Sequence, residues 1–202
     1  IAQCLVGSEM CIRDRVESGE QLTPKQKAYH EKTKVRDLAL LTLMLGTGIR
    51  VSECVGLNVK DIDWKNGGIQ IHRKGGKEVT VYFGREVEDA LLDYLDERKR
   101  IIPEEGHEDA LFLSLQRKRL TVRSVENLVK KYSRTVTPNK KITPHKLRST
   151  YGTNLYRETG DIYLVADVLG HSDVNTTKKH YAALEDERRR SARNVVKLRK
   201  EF

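Results

Sequence analysis

The chain has 202 residues, with 38 Lys plus Arg against 29 Asp plus Glu, so its formal charge is +9 and its pI near 9.4. That length carries one large domain or two small ones with a substantial core, and a composition 33% charged and 38% hydrophobic is not that of a disordered chain. The longest apolar run, Leu38–Leu45 interrupted by Thr42, is too short to span a membrane, and three cysteines without zinc-finger spacing exclude a disulfide scaffold: the expectation is a soluble protein of a reducing compartment that meets a polyanion.

Residues 1–15 stand apart. They lack the basic start and clean apolar core of a secretory signal. Leu5 to Asp14 resembles a sequencing-library adapter translated in one frame, with Cys4 and Arg15 as junction codons. The expected organisation is therefore a non-native segment over 1–15, a linker over 16–33 and one domain over 34–202.

The first predicted element is a helix over Lys34–Leu45, apolar nearly all round and so central; Gly46 and Gly48 stop it. A short helix follows over Val51–Leu57. Ile69 and Ile71, then Val79, Val81 and Phe83, alternate with polar residues at the strand period. Gly75-Gly76 between them signals a hairpin turn. Glu86–Ile101 is amphipathic, with Val87, Ala90, Leu91, Tyr94 and Leu95 inward, and so is Thr121–Val136, with Val122, Val125, Leu128, Val129 and Tyr132. Thr143 and Pro144 open a helix as N-cap and first residue, and Gly160 closes it. Helices over Asp161–Leu169, Asp173–Leu184 and Glu187–Leu198 complete the pattern. The fold class is mainly α (α+β): helices around one small antiparallel sheet.

Charge is unevenly spread. Acids dominate from Glu86 to Asp109, whereas from Arg117 to Arg148 the bases are opposed by Glu126 alone. A block this one-signed is suited to phosphates. His145 and Arg148 are three apart in the first turns of the Thr143 helix, whose N-terminus favours an anion. Gly152 lies one turn further on. His-x-x-Arg alone is a weak pattern, but it is not alone. Arg50 follows a glycine break, with Glu53 three residues on to hold it. Lys74 and Lys77 flank the hairpin tip, His171 follows Gly170, and Tyr181 stands on the next helix. Arginines can hold two non-bridging phosphate oxygens, a tyrosine can attack phosphorus, and histidine and lysine can move the protons. Together they form a kit for phosphodiester cleavage without metal.

In this order, Thr47-Gly48-Ile49-Arg50, the Lys74-Gly75-Gly76 hairpin, His145-x-x-Arg148, Leu169-Gly170-His171 and Tyr181 resemble the catalytic domain of the tyrosine recombinases, the phage-integrase and chromosome-dimer-resolution family. The resemblance covers about Lys34 to Leu198. It implies that Arg50 and Arg148 bind the scissile phosphate and that Lys74 is the general acid toward the 5′-hydroxyl. It further implies that His145 assists proton transfer, that His171 orients phosphate or nucleophile, that Glu53 supports Arg50, and that Tyr181 forms a 3′-phosphotyrosine. No metal or nucleotide cofactor is implied. The implied partner is double-stranded DNA, bound by a homo-tetramer whose tail, Ser191–Leu198, docks on a neighbouring protomer; the isolated chain is expected to be monomeric. A cytoplasmic protein of bacterial or phage origin is expected, without its N-terminal DNA-clamp domain.

Two departures stand beside the resemblance. His171 and Tyr181 are ten positions apart, one more than the family's commonest spacing, and nothing before residue 34 looks like the clamp domain. Two other functions fit some of the same residues: a type IB topoisomerase-like enzyme with the same tyrosine chemistry, and a non-catalytic DNA-binding fragment of a decayed or truncated integrase. Simple packing or surface roles are expected for Cys54, Tyr151 and Tyr163 (packing), His72 and His107 (surface or strand) and Trp64 (the sheet edge).

Overall fold

The computed structural model describes residues 14, 16–20, 22–73, 76–136 and 141–171. Its elements are α1 (Pro24–His30), α2 (Lys34–Thr47), α3 (Val51–Gly56), a 3-10 turn (Val59–Asp61), β1 (Ile62–Asp63), β2 (Gly68–His72), β3 (Glu78–Tyr82), α4 (Arg85–Arg98), α5 (Val122–Val136), α6 (Pro144–Thr159) and α7 (Ile162–Leu169). The chain divides into two compact units, Ile1–Tyr151 and Gly152–Phe202.

In the first unit α2 is the central helix, as its all-round apolar sequence requires. Ala39, Leu40, Leu41, Leu43 and Met44 are all buried. The amphipathic helix α4 packs on α2 and buries Val87, Ala90, Leu91 and Tyr94. The two helices approach so closely at Gly46 that a Cβ there would stand 2.5 Å from Val87 Cγ2. The three strands form one antiparallel sheet in the order β1-β2-β3, with Ile69 opposite Val81 and Ile71 opposite Val79. Ile69, Ile71 and Val81 are buried while Gln70 and Thr80 face solvent, the alternation that fixes strand register. At the hairpin, Arg73 N–H donates to the Lys77 carbonyl (2.8 Å) and Gly76 N–H to the Arg73 carbonyl (3.2 Å). Gly76, just before Lys77, is left-handed, with φ +75°, a conformation that glycine adopts without strain.

The stretch expected to be a linker holds α1. Thr23 opens it with a capping box: Gln26 N–H reaches Thr23 Oγ1 at 3.4 Å and Thr23 N–H reaches Gln26 Oε1 at 3.0 Å. Val16 is fully buried in the core cluster. In the second unit, the last turns of α6 lead through Gly160 into α7, whose residues Ile162, Val165, Ala166 and Leu169 are buried. The fold is therefore mainly helical with one small antiparallel sheet. Among the described residues no helix is long and apolar enough to cross a membrane. The segment resembling an adapter (apart from Asp14) and the helices expected over Asp173–Leu184 and Glu187–Leu198 lie outside the described residues.

Candidate active site

The segment Thr47 to Glu53 is shaped by the end of one helix and the start of the next. Gly48 closes α2 in the left-handed conformation, φ +64°, and its N–H donates to the Met44 carbonyl at 3.0 Å. The Tyr151 ring lies against this glycine, in the space a Cβ would need. The chain then extends through Arg50 into α3. Glu53 reaches back: one carboxylate oxygen accepts the Arg50 N–H at 2.7 Å and the other accepts Arg50 Nη1 at 2.8 Å. The Glu53 side chain is 5% exposed and that of Arg50 40%. A buried carboxylate thus fixes a guanidinium that solvent, and any ligand, can still reach.

Helix α6 supplies the second arginine. Thr143 caps it, accepting Lys146 N–H at 3.3 Å, and Pro144 is its first residue, as the sequence predicts. Arg148 is 6% exposed, and its Nη1 donates to the carbonyl of Gly48. The two arginines of the predicted site are brought together here: Arg148 is moored to the glycine two residues before Arg50. His145, one turn earlier, is exposed, so the two members of the His-x-x-Arg pattern differ in environment. In the second unit α7 ends in a Schellman motif. Gly170 is left-handed, its N–H donates to the Asp167 carbonyl, and His171 N–H donates to the Ala166 carbonyl, both at 2.8 Å. Two paired carbonyls thus set the backbone of His171 just beyond the helix. Lys74 and Tyr181 lie outside the described residues.

A cleft of about 660 Å³ runs between α5 and the start of α6, lined by Arg123, Asn127, Lys130, Arg134, Lys141 and Thr143, among others. The basic block is not uniformly outward, however. Arg119 turns in and donates through Nη1 to the carbonyls of Val55 (3.1 Å), Gly56 (3.0 Å) and Leu57 (2.7 Å), and through Nη2 to Asn58 Oδ1 (2.6 Å). It holds the C-terminal end of α3, and the sequence offered no signal for that. Arg117 pairs with Glu104 at 2.7 Å.

Of the residues given simple roles, Cys54 is fully buried and burial pushes its thiol up to about 12. Burial also raises the Tyr151 phenol, which packs on Gly48. His72 is exposed, 3.4 Å from Glu78. Trp64 meets Phe83 edge to face at 6.4 Å beside the sheet. Tyr163 departs from expectation. It is 64% exposed, because its position on α7 falls outside the stripe formed by Ile162, Val165, Ala166 and Leu169.

Residues 19–188 match the model of the phage integrase family. The chain is 38% identical over 172 residues to the tyrosine recombinase XerS of Streptococcus agalactiae, covering 84% of this chain and 48% of that protein. It is 36% identical over 176 residues to the tyrosine recombinase XerS of Streptococcus pneumoniae, covering 86% and 49%. Among solved structures, the XerA recombinase superposes with a TM-score of 0.74 at 25% identity, over 97% of this chain and 64% of that one. A Tn1549 transposon integrase in complex with transposon right end DNA superposes with a TM-score of 0.62 at 25% identity, over 87% and 66%. The chain spans about half the length of the curated relatives it matches. With the family's model matched over residues 19–188 and tyrosine recombinases of 38% and 36% identity among its relatives, the chain belongs to the phage integrase family, the tyrosine recombinases.

Proposed function

We propose that this chain is the catalytic part of a site-specific DNA recombinase, cutting and rejoining one strand through a 3′-phosphotyrosine. Arg50 and Arg148 hold the non-bridging oxygens of the scissile phosphate and stabilise the added negative charge of the transition state. Tyr181 Oη attacks phosphorus as the bond to the 5′-oxygen breaks. Lys74 gives that oxygen its proton, and His145 takes the one Tyr181 loses. His171 orients the phosphate or the nucleophile, and Glu53 keeps Arg50 in place. The phosphotyrosine conserves the bond for rejoining, so the scheme calls on neither metal nor nucleotide.

The observation that carries this reading is the mooring of Arg148 to the Gly48 carbonyl beside the Arg50–Glu53 pair. The basic cleft of α5 and α6 suits a phosphate backbone, and a related integrase of the same fold has been solved in complex with DNA. The partner we assign is double-stranded DNA, bound by four protomers with the tail over 191–198 bridging neighbours, in the cytoplasm of a bacterium or a phage-infected host. Trapping on a nicked suicide substrate tests it. A covalent protein–DNA adduct that vanishes in Tyr181→Phe is expected. Binding without any adduct would favour the non-catalytic fragment, and relaxation of supercoiled plasmid without strand exchange would favour the topoisomerase-like activity.

A further inference from the structure

A second polar cluster, buried and separate from the arginine site, joins α1, α2 and α5. Its members include His30 (1% exposed), Asp37 (1%) and Tyr132 (0%). The hydrogen bonds fix its protons. Asp37 Oδ1 accepts from Arg36 Nε (3.0 Å) and Nη2 (2.6 Å), and Oδ2 accepts from Thr33 Oγ1 and Tyr132 Oη, each at 3.0 Å. The single hydroxyl proton of Tyr132 therefore points to Asp37. Lys131 Nζ, 3.0 Å from Tyr132 Oη, can only donate. His30 Nδ1, 2.9 Å from the same oxygen, must then donate as well, so a neutral ring here is the Nδ1–H tautomer. In that tautomer its Nε2 is a lone pair, buried without a partner among the described residues. Gly19, φ +63°, closes over it so tightly that a Cβ would stand 2.7 Å from Nε2.

A second proton would go to Nε2, where no acceptor waits among the described residues. Around the ring, Lys131 and Lys34 oppose a positive charge, while Glu31 and Asp37 favour it. Asp37 already receives four donors, two of them from the neighbouring Arg36. Glu17 and Glu20, on either side of Gly19, are exposed. Lys131 is held in place against the aromatic faces, 4.3 Å from the Tyr132 centroid and 5.7 Å from that of Tyr29.

We propose that His30 is a proton-operated latch that holds the 16–33 segment on α5, shut while the ring is neutral and released when Nε2 takes a second proton. Burial, then the Lys131 charge, lowers the affinity of the latched ring for protons below the ordinary value of 6.5. The released state thus binds more protons than the latched one. The latch is at full strength well above pH 6.5 and weakens as pH falls through it, by at most about tenfold per pH unit, until the latched ring itself titrates. The device does not depend on the recombinase reading.

Hydrogen exchange of the full chain between pH 8 and 5, corrected for intrinsic rates, tests it. The opening constant of peptides from 16–33 should rise by up to about fivefold from pH 6.5 to 5.5, while α2 stays protected. In His30→Gln the amide can still donate to Tyr132 Oη but cannot titrate, so the profile should be flat. The His30 Cε1–H resonance of the unaltered chain, followed by NMR, should have its midpoint below 6.5, and this measurement decides the matter if the variant folds poorly. A flat profile in the unaltered chain, an equal rise in His30→Gln, or a midpoint at or above 6.5 would overturn the latch.

Discussion

Arg148 donates to the carbonyl of Gly48 across 100 residues of chain. The carbonyl belongs to the residue that ends α2, so the guanidinium and the Arg50 loop share one support. A change at Gly48 is therefore felt by both.

Gly48→Ala should lower stability measurably. The left-handed φ alone costs about 1–3 kcal/mol for a residue with a Cβ, and the methyl would overlap the Tyr151 ring. In a Tyr151→Ala background the overlap is relieved and the backbone strain remains, so the added cost of Gly48→Ala should shrink without vanishing. Urea unfolding of the four proteins checks this, and an unchanged midpoint in Gly48→Ala would contradict it.

Tyr181 and Lys74 have separable proposed roles. Tyr181→Phe should bind DNA and form no adduct. Lys74→Ala should slow cleavage by about 10²–10⁴-fold, the usual worth of a positioned proton donor. A substrate whose 5′-oxygen is replaced by sulfur leaves as a thiolate without needing that proton. Lys74→Ala should recover most of its rate on it, and Arg148→Ala should not. Equal slowness of Lys74→Ala on both substrates would move the acid to Lys77 or His145.

Burial decides the worth of two ion pairs. Asp37→Ala leaves the Arg36 guanidinium buried without its carboxylate, and should cost about 3–5 kcal/mol. Arg117 and Glu104 are 52% and 41% exposed, so Glu104→Ala should cost under about 1 kcal/mol. Denaturant titration at pH 7 compares them directly.

DNA affinity should fall steeply with salt. Each of Lys130→Ala and Arg134→Ala, on the basic cleft, should reduce the slope of log affinity against log salt by about 0.9. Arg119→Ala should leave the slope alone and lower stability by about 1.5–3 kcal/mol, the range for hydrogen bonds from a charged group. Fluorescence anisotropy at several salt concentrations separates the two classes, and a reduced slope in Arg119→Ala would show that this arginine meets phosphate after all.

What the sequence made legible follows the strength of local patterning. The apolar run of α2, the stripes of α4 and α5 and the Thr143-Pro144 start of α6 each announce an element, and the structure places them within a few residues. Helix α1 escaped because Pro24–His30 has no apolar stripe; the Thr23 and Gln26 capping box was the available signal. β1 has two residues, too few for any period. The Arg50–Glu53 pair is local and was readable at spacing three. The bond from Arg148 to Gly48, the inward turn of Arg119 and the cluster of His30 with Tyr132 join residues 62 to 102 positions or so apart. Only folding brings them together, and a lone histidine or an arginine in a basic run carries no mark of it.

Helix α3 is six residues long and is gripped at both ends, by Glu53 on Arg50 at one and by Arg119 on three carbonyls at the other. Such a short helix has little rigidity of its own, so it borrows stiffness from the strand of chain that carries Arg119. That chain also supplies bridges from Ala110 to Asn58 and from Leu113 to Arg119. The irregular stretch between α4 and α5 therefore works as a splint. Lengthening or shortening it would swing α3 and carry Arg50 off its mark, although the altered residues lie in another part of the chain.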